Sequence, residues 1–178
     1  NTLVLHVIDN SIENLKFYVA MLISGATVIL VNKTANKHTL SVLVQKYDPS
    51  YVVGDLSVED TLFNAIQVLK DDSVVLFKCI SRHIGQINAD LALLLGTSGS
   101  TGNPKFVRLS NENVLSNAKS IAEYLKLDQN DLPITTLPPS YTYGLSIIHS
   151  HLLVGSTIAV TEKTFFDREF WDFFRNVK

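Results

Sequence analysis

The sequence predicts an α/β fold in three layers, a largely parallel sheet with helices on both faces. Three observations lead there. Apolar runs such as Ala26 to Val31 are continuous, not alternating, as in a strand covered on both sides. These runs alternate with segments of helical period, a succession that builds parallel strands joined by crossover helices. Finally, 178 residues that are 46% hydrophobic and 18% charged can bury a substantial core, so residues 1–178 are read as a single domain.

Thr2 to Ile8 reads as the first strand. Asn10 then caps a helix with Glu13 as its capping-box partner, its apolar face drawn from Ile12, Leu15, Val19, Leu22 and Ile23, and Gly25 ends it. Ala26 to Val31 is the second strand. Leu40, Leu43, Val44 and Tyr47 mark a second helix closed by Pro49, and Tyr51 to Val53 is a short strand. Ser57 and Asp60 predict the start of a third helix with the stripe Leu62, Phe63, Ile66 and Leu69, followed by a strand over Val74 to Ile80. Arg82 to Asp90 is polar and reads as a connector.

The apolar run Leu91 to Leu95 stops at Gly96-Thr97-Ser98-Gly99-Ser100-Thr101-Gly102-Asn103-Pro104-Lys105. Glycines let backbone N–H groups approach an anion, hydroxyls add rotatable donors, and a lysine brings a mobile positive charge. Together they predict a polyphosphate clamp. A Walker A loop would need GxxxxGK[ST] leading into a helix. Here Gly96 and Gly102 are one residue too far apart, Asn103 and Pro104 follow Gly102, and Phe106 to Leu109 is strand-like. The loop therefore joins two strands. An ordinary glycine-rich hairpin is the structural alternative.

Ser110 caps a long helix with Val114, Ala118, Ile121 and Leu125 on its inner face. A turn over Asp128 to Asp131 precedes a strand from Ile134 to Leu137 that ends at Pro138 and Pro139. A helix over Tyr143 to Leu153, Gly155, a strand over Thr157 to Val160, and a helix capped by Asp167 with Phe170, Phe173, Phe174 and Val177 on one face complete the chain.

A net charge of -2 gives no bulk basic character for nucleic acid, and no apolar run approaches the roughly 20 residues of a membrane span. The single cysteine, Cys79, excludes a disulfide framework and fits a reducing, cytoplasmic setting. His149 and His151, two apart on a helix, diverge, and the other histidines lack ligand spacing, so no metal site is predicted. With Met21 the only methionine and no signal-peptide pattern at Asn1 to Asp9, the chain reads as a piece of a longer protein.

Thr97 to Lys105 resembles the phosphate-binding signature of the AMP-forming acyl-adenylating superfamily, which includes acyl-CoA synthetases, aryl-CoA ligases, luciferases and peptide-synthetase adenylation domains. Leu137 to Val160 resembles the family's next motif, and Gly25-Ala26-Thr27 and Pro49 to Val53 match it loosely, so the resemblance spans essentially the whole chain. It implies one subdomain of the family's N-terminal domain. Thr97, Ser98, Gly99, Ser100, Thr101, Gly102 and Lys105 would hold ATP phosphates. Tyr141, Tyr143 and Gly144 would wall the acyl and nucleotide pocket, unless the tyrosines are core aromatics with wetted hydroxyls. Tyr141 and Asn111 stand where the family often has histidine. The resemblance further implies Mg-ATP, a small carboxylic acid, and coenzyme A or a phosphopantetheine carrier thiol as acceptor. In the family, the adenine, ribose and catalytic-lysine sites follow the point where Lys178 stands, so no catalytic residue is assigned and the fragment alone is expected to be inactive. A P-loop-like nucleotide-binding domain and a non-enzymatic interaction module are the rival readings.

Overall fold

The computed structural model describes residues 2–55, 65–80, 86–97 and 105–177. Seven strands form one sheet in the order β4-β5-β3-β1-β2-β6-β7, with β1 at Leu3–Ile8, β2 at Thr27–Asn32, β3 at Tyr51–Asp55, β4 at Ala65–Asp71, β5 at Val74–Cys79, β6 at Leu91–Gly96 and β7 at Phe106–Ser110. The four central strands β3, β1, β2 and β6 run parallel, as their continuous apolar runs require. Antiparallel strands complete both edges, β5 and β4 on one side and β7 on the other. The sheet is therefore mixed, with a parallel centre.

Helices lie on both faces. Helix α1, Ile12–Ile23, and helix α4, Thr142–Val154, pack with Val4, Ile8, Val28, Leu30, Leu93 and Leu95. Helix α3, Asn111–Leu125, joins that side through Val114. Helix α2, Lys37–Tyr47, covers Leu5, Val7, Ile29, Val31, Val52 and Leu94 on the opposite face.

Several local expectations change. The cap of α1 is Ser11, whose hydroxyl accepts from Asn14 N, while Asn10 donates from Nδ2 to the distant Leu137 carbonyl. The buried face of α1 is Asn14, Leu15, Tyr18 and Met21, while Ile12 and Ile23 face outward. Residues 65–71, expected to finish a third helix, are strand β4. Asp72 takes a left-handed φ of 50° and turns β4 back onto β5, so Ile66 and Leu69 belong to an edge hairpin. Ser57, Asp60, Leu62 and Phe63 lie outside the described residues. The strands expected at 134–137 and 157–160 reduce to one parallel bridge, Ile134 to Ala159.

On α3 the buried residues are Ala118 and Ala122, while Leu125 is exposed. Helix α5, Arg168–Asn176, buries only Phe170. Asp167 stands at its N-cap position, but its carboxylate accepts from Thr164 instead of from the helix. Gly25 and Gly155, both at positive φ, do end α1 and α4 as the sequence predicts. No helix among the described residues is long and apolar enough to cross a membrane.

Candidate functional site

The carboxyl ends of β1, β2 and β6 lie together because these strands are parallel and adjacent. The chain leaves β1 toward α1 on one face and leaves β2 toward α2 on the other. One strand further along, β6 ends at Gly96 opposite Phe106 of β7. There Thr97 donates from its backbone N–H to the Lys105 carbonyl at 2.9 Å and from its hydroxyl to the same oxygen at 3.3 Å. That pair closes the neck of the glycine-rich segment. Ser98, Gly99, Ser100, Thr101 and Gly102 lie outside the described residues. Lys105 is exposed, and no ion pair among the described residues involves it.

Tyr141 comes to the same end of the sheet, sharing a cavity of about 200 Å³ with Gly96, Thr97, Phe106, Asn32 and Ser140. Its side chain is exposed, and so is that of Tyr143, so neither is a core aromatic. Tyr143 does not share the cavity with Thr97. It lies with Tyr124, Leu125 and His151 in a groove between α3 and α4. Gly144 is where α4 meets the preceding turn. A Cβ there would sit 2.5 Å from the Pro138 carbonyl oxygen and 2.7 Å from that of Leu137.

The sequence reading did not anticipate the polar residues that follow β1 and β2. Asn10 donates from Nδ2 to the Leu137 carbonyl at 3.2 Å, and Asn32 donates from Nδ2 to Ser140 Oγ at 3.1 Å. Lys33 bridges Asp9 at 2.9 Å and Glu162 at 2.8 Å. Burial alone would raise the Asp9 carboxyl, but hydrogen bonds from Ser11, Lys33 and Asn14 outweigh it and hold the group at about 2. Burial would likewise lower Lys33, yet its two carboxylate partners raise it. The available signal was the appearance of Asp9-Asn10 and Asn32-Lys33 immediately after two doubly buried strands.

Three histidines have partners of their own. His6 Nε2 meets Asn14 Oδ1 at 2.8 Å, His149 Nε2 meets Tyr18 Oη at 2.6 Å, and His151 Nδ1 meets the Ile147 carbonyl at 2.8 Å. His83 lies outside the described residues. Among the described residues no group of three His, Cys, Asp or Glu side chains is placed to hold a metal ion.

The model of the family described as AMP-binding enzyme matches residues 1–178, the whole chain. The chain belongs to that family. A 2-succinylbenzoate–CoA ligase from Geobacillus sp. (strain WCH70) is 28% identical over 153 residues, covering 85% of this chain and 31% of that protein. A D-alanine–D-alanyl carrier protein ligase from Listeria monocytogenes is 26% identical over 150 residues, covering 79% of this chain and 29% of that protein. The ATP-bound crystal structure of MatB from Rhodopseudomonas palustris superimposes with a TM-score of 0.78 at 25% identity, over 100% of this chain and 38% of that one. The chain thus spans about a third of the length of these family members. The α/β architecture, with its parallel centre and helices on both faces, is that of the family's N-terminal domain.

Proposed function

We propose that this chain is the phosphate-gripping portion of an ATP-dependent ligase that activates a carboxylic acid as its acyl-adenylate. The observation that carries the reading is the neck formed by Thr97 and Lys105. Thr97 lies at the carboxyl end of a central parallel strand, beside the cavity wall supplied by Tyr141. Family membership and the ligase names of the relatives support it.

In the proposed reaction a carboxylate oxygen attacks the α-phosphorus of ATP, the bond to the bridging α,β-oxygen breaks, and pyrophosphate leaves. An acceptor thiol then displaces AMP from the acyl carbon. The attack calls for in-line positioning and compensation of charge on the departing phosphates. Ser98, Gly99, Ser100, Thr101 and Gly102 donate to phosphate oxygens, Thr97 shapes the neck, and Lys105 meets the negative charge as it leaves. Tyr141, Tyr143 and Gly144 belong to the pocket side. Tyr141 walls the cavity next to Thr97, Gly144 admits the turn that presents it, and Tyr143 lies in the neighbouring groove between α3 and α4. Magnesium enters with ATP. One relative is named for coenzyme A and another for a carrier protein, and either acceptor suits this chain's family.

Carboxylate-dependent exchange of pyrophosphate into ATP by the whole protein tests the reading. Lys105→Ala is expected to slow that exchange about 100-fold, the scale of losing one preorganised charge-stabilising group. Exchange undiminished by the substitution removes Lys105 from its role. Hydrolysis of ATP to phosphate without any carboxylate requirement favours a nucleotide switch instead. Inertness toward a broad panel of carboxylic acids favours an interaction module. The 178 residues alone are expected to show no exchange.

A further inference from the structure

The gap between the carboxyl ends of β1 and β2 is filled by the protein's own chain. The turn Leu137 to Ser140 lies over it, held by two carboxamides, Asn10 on the Leu137 carbonyl and Asn32 on Ser140 Oγ. We propose that Asn10 and Asn32 are positioning residues that set Tyr141 across from Thr97 in the cavity at the carboxyl ends of β2 and β6. The inference rests on the reading of Tyr141 as a pocket wall.

Asn32 uses both ends of its carboxamide. Its Oδ1 accepts from Thr34 N at 2.9 Å and Thr34 Oγ1 at 2.8 Å, which fixes the direction of the Nδ2 donor. Ser140 is buried, directly precedes Tyr141, and lines the same cavity as Asn32 and Thr97. Asn10 holds Leu137 even though its own Oδ1 is buried without a partner among the described residues. An unpaired buried acceptor is destabilising, because its lost hydration is not replaced. A side chain serving only as a helix cap would not incur that cost, since Ser11 already caps α1. Gly144 closes the arrangement from below, leaving the first turn of α4 no space to rise from the Leu137–Pro138 carbonyls. The turn is thus fixed at three points, and Tyr141, the next residue, inherits its position.

The test is pyrophosphate exchange by the whole protein, using whichever carboxylate supports it fastest, for Asn32→Ala, Ser140→Ala, Tyr141→Ala and the Asn32→Ala/Tyr141→Ala pair. Loss of about 1 Å of placement changes rates by as much as about 100-fold. The KM for the carboxylate is therefore expected to rise about 10-fold or more in each single variant, with the pair no worse than Tyr141→Ala alone. Additive effects overturn the proposal, as does an Asn32→Ala variant with a lowered Tm and an unchanged KM. Ser140→Ala removes only one hydroxyl and keeps the Asn32–Thr34 contacts, so it reports if Asn32→Ala fails to fold. Absence of exchange in the unsubstituted protein fails the adenylation reading itself. In that event crystal structures of the unsubstituted and Ser140→Ala proteins decide the placement question, and a Tyr141 ring that stays in place overturns it.

Discussion

At the scale of single residues, Gly144 tests how sterics compete with propensity. It lies inside α4, where alanine in place of glycine ordinarily gains about 1 kcal/mol. Here the added methyl would meet two backbone carbonyl oxygens, neither of which can rotate away. Overpacking of this kind costs about 1–3 kcal/mol, and the contact distances place Gly144→Ala toward the upper end. The variant is expected to be about 1–2 kcal/mol less stable in urea unfolding, and a gain in stability would show that the turn at Leu137 yields easily. The sequence singled out Thr97, Lys105 and Tyr141 as candidates because glycine, hydroxyl and proline spacing is local. Asn10 was misread as a helix cap because its partner lies 127 positions away, and nothing near Asn10 announces Leu137.

At the scale of elements, the helices and parallel strands were legible because their periods differ and their ends carry glycine or serine. The failure was at 65–71. Ile66 and Leu69 are three apart, which fits a helical stripe, but a bulge between Gln67 and Leu69 breaks the strand's two-residue alternation. Ile66, Val68 and Leu69 are all exposed on this edge, so no buried face imposed a pattern. Backbone geometry at element ends gives a second prediction. Lys126 terminates α3 at a left-handed φ of 56°, a conformation that costs a side-chain-bearing residue about 1 kcal/mol. Lys126→Gly is expected to raise the Tm by a few degrees, equivalent to about 0.5–1 kcal/mol, since glycine takes this conformation without strain. A lowered Tm would mean that the lysine side chain contributes more than its backbone strain costs.

At the scale of the whole molecule, α1 is tied to the rest of the fold through two neutral imidazoles, one buried and one half-buried. His6 on β1 holds Asn14, and His149 on α4 holds Tyr18. Burial pushes both histidines from the ordinary value near 6.5 down to about 4, with the Asn14 bond and the nearby Asp9 charge only partly opposing it at His6. The sign follows from proton counting. Between pH 6.5 and 4 the unfolded chain takes up protons at these positions while the folded chain does not, so stability is full above pH 6.5 and falls as pH drops toward 4. Asp9 acts lower, since its depressed carboxyl adds stability that is complete above about pH 4 and disappears toward pH 2. Two successive acid limbs are expected in urea midpoints measured from pH 8 to pH 3. His149→Gln retains a hydrogen-bonding partner for Tyr18 and cannot be charged, so it should flatten the limb between pH 6.5 and 4 by about half while leaving the lower one in place. A variant whose midpoint falls with pH as steeply as the parent's would show that water reaches His149 from the cavity it lines with Leu93, Asn117 and Thr142, and that α1 is fastened by packing alone.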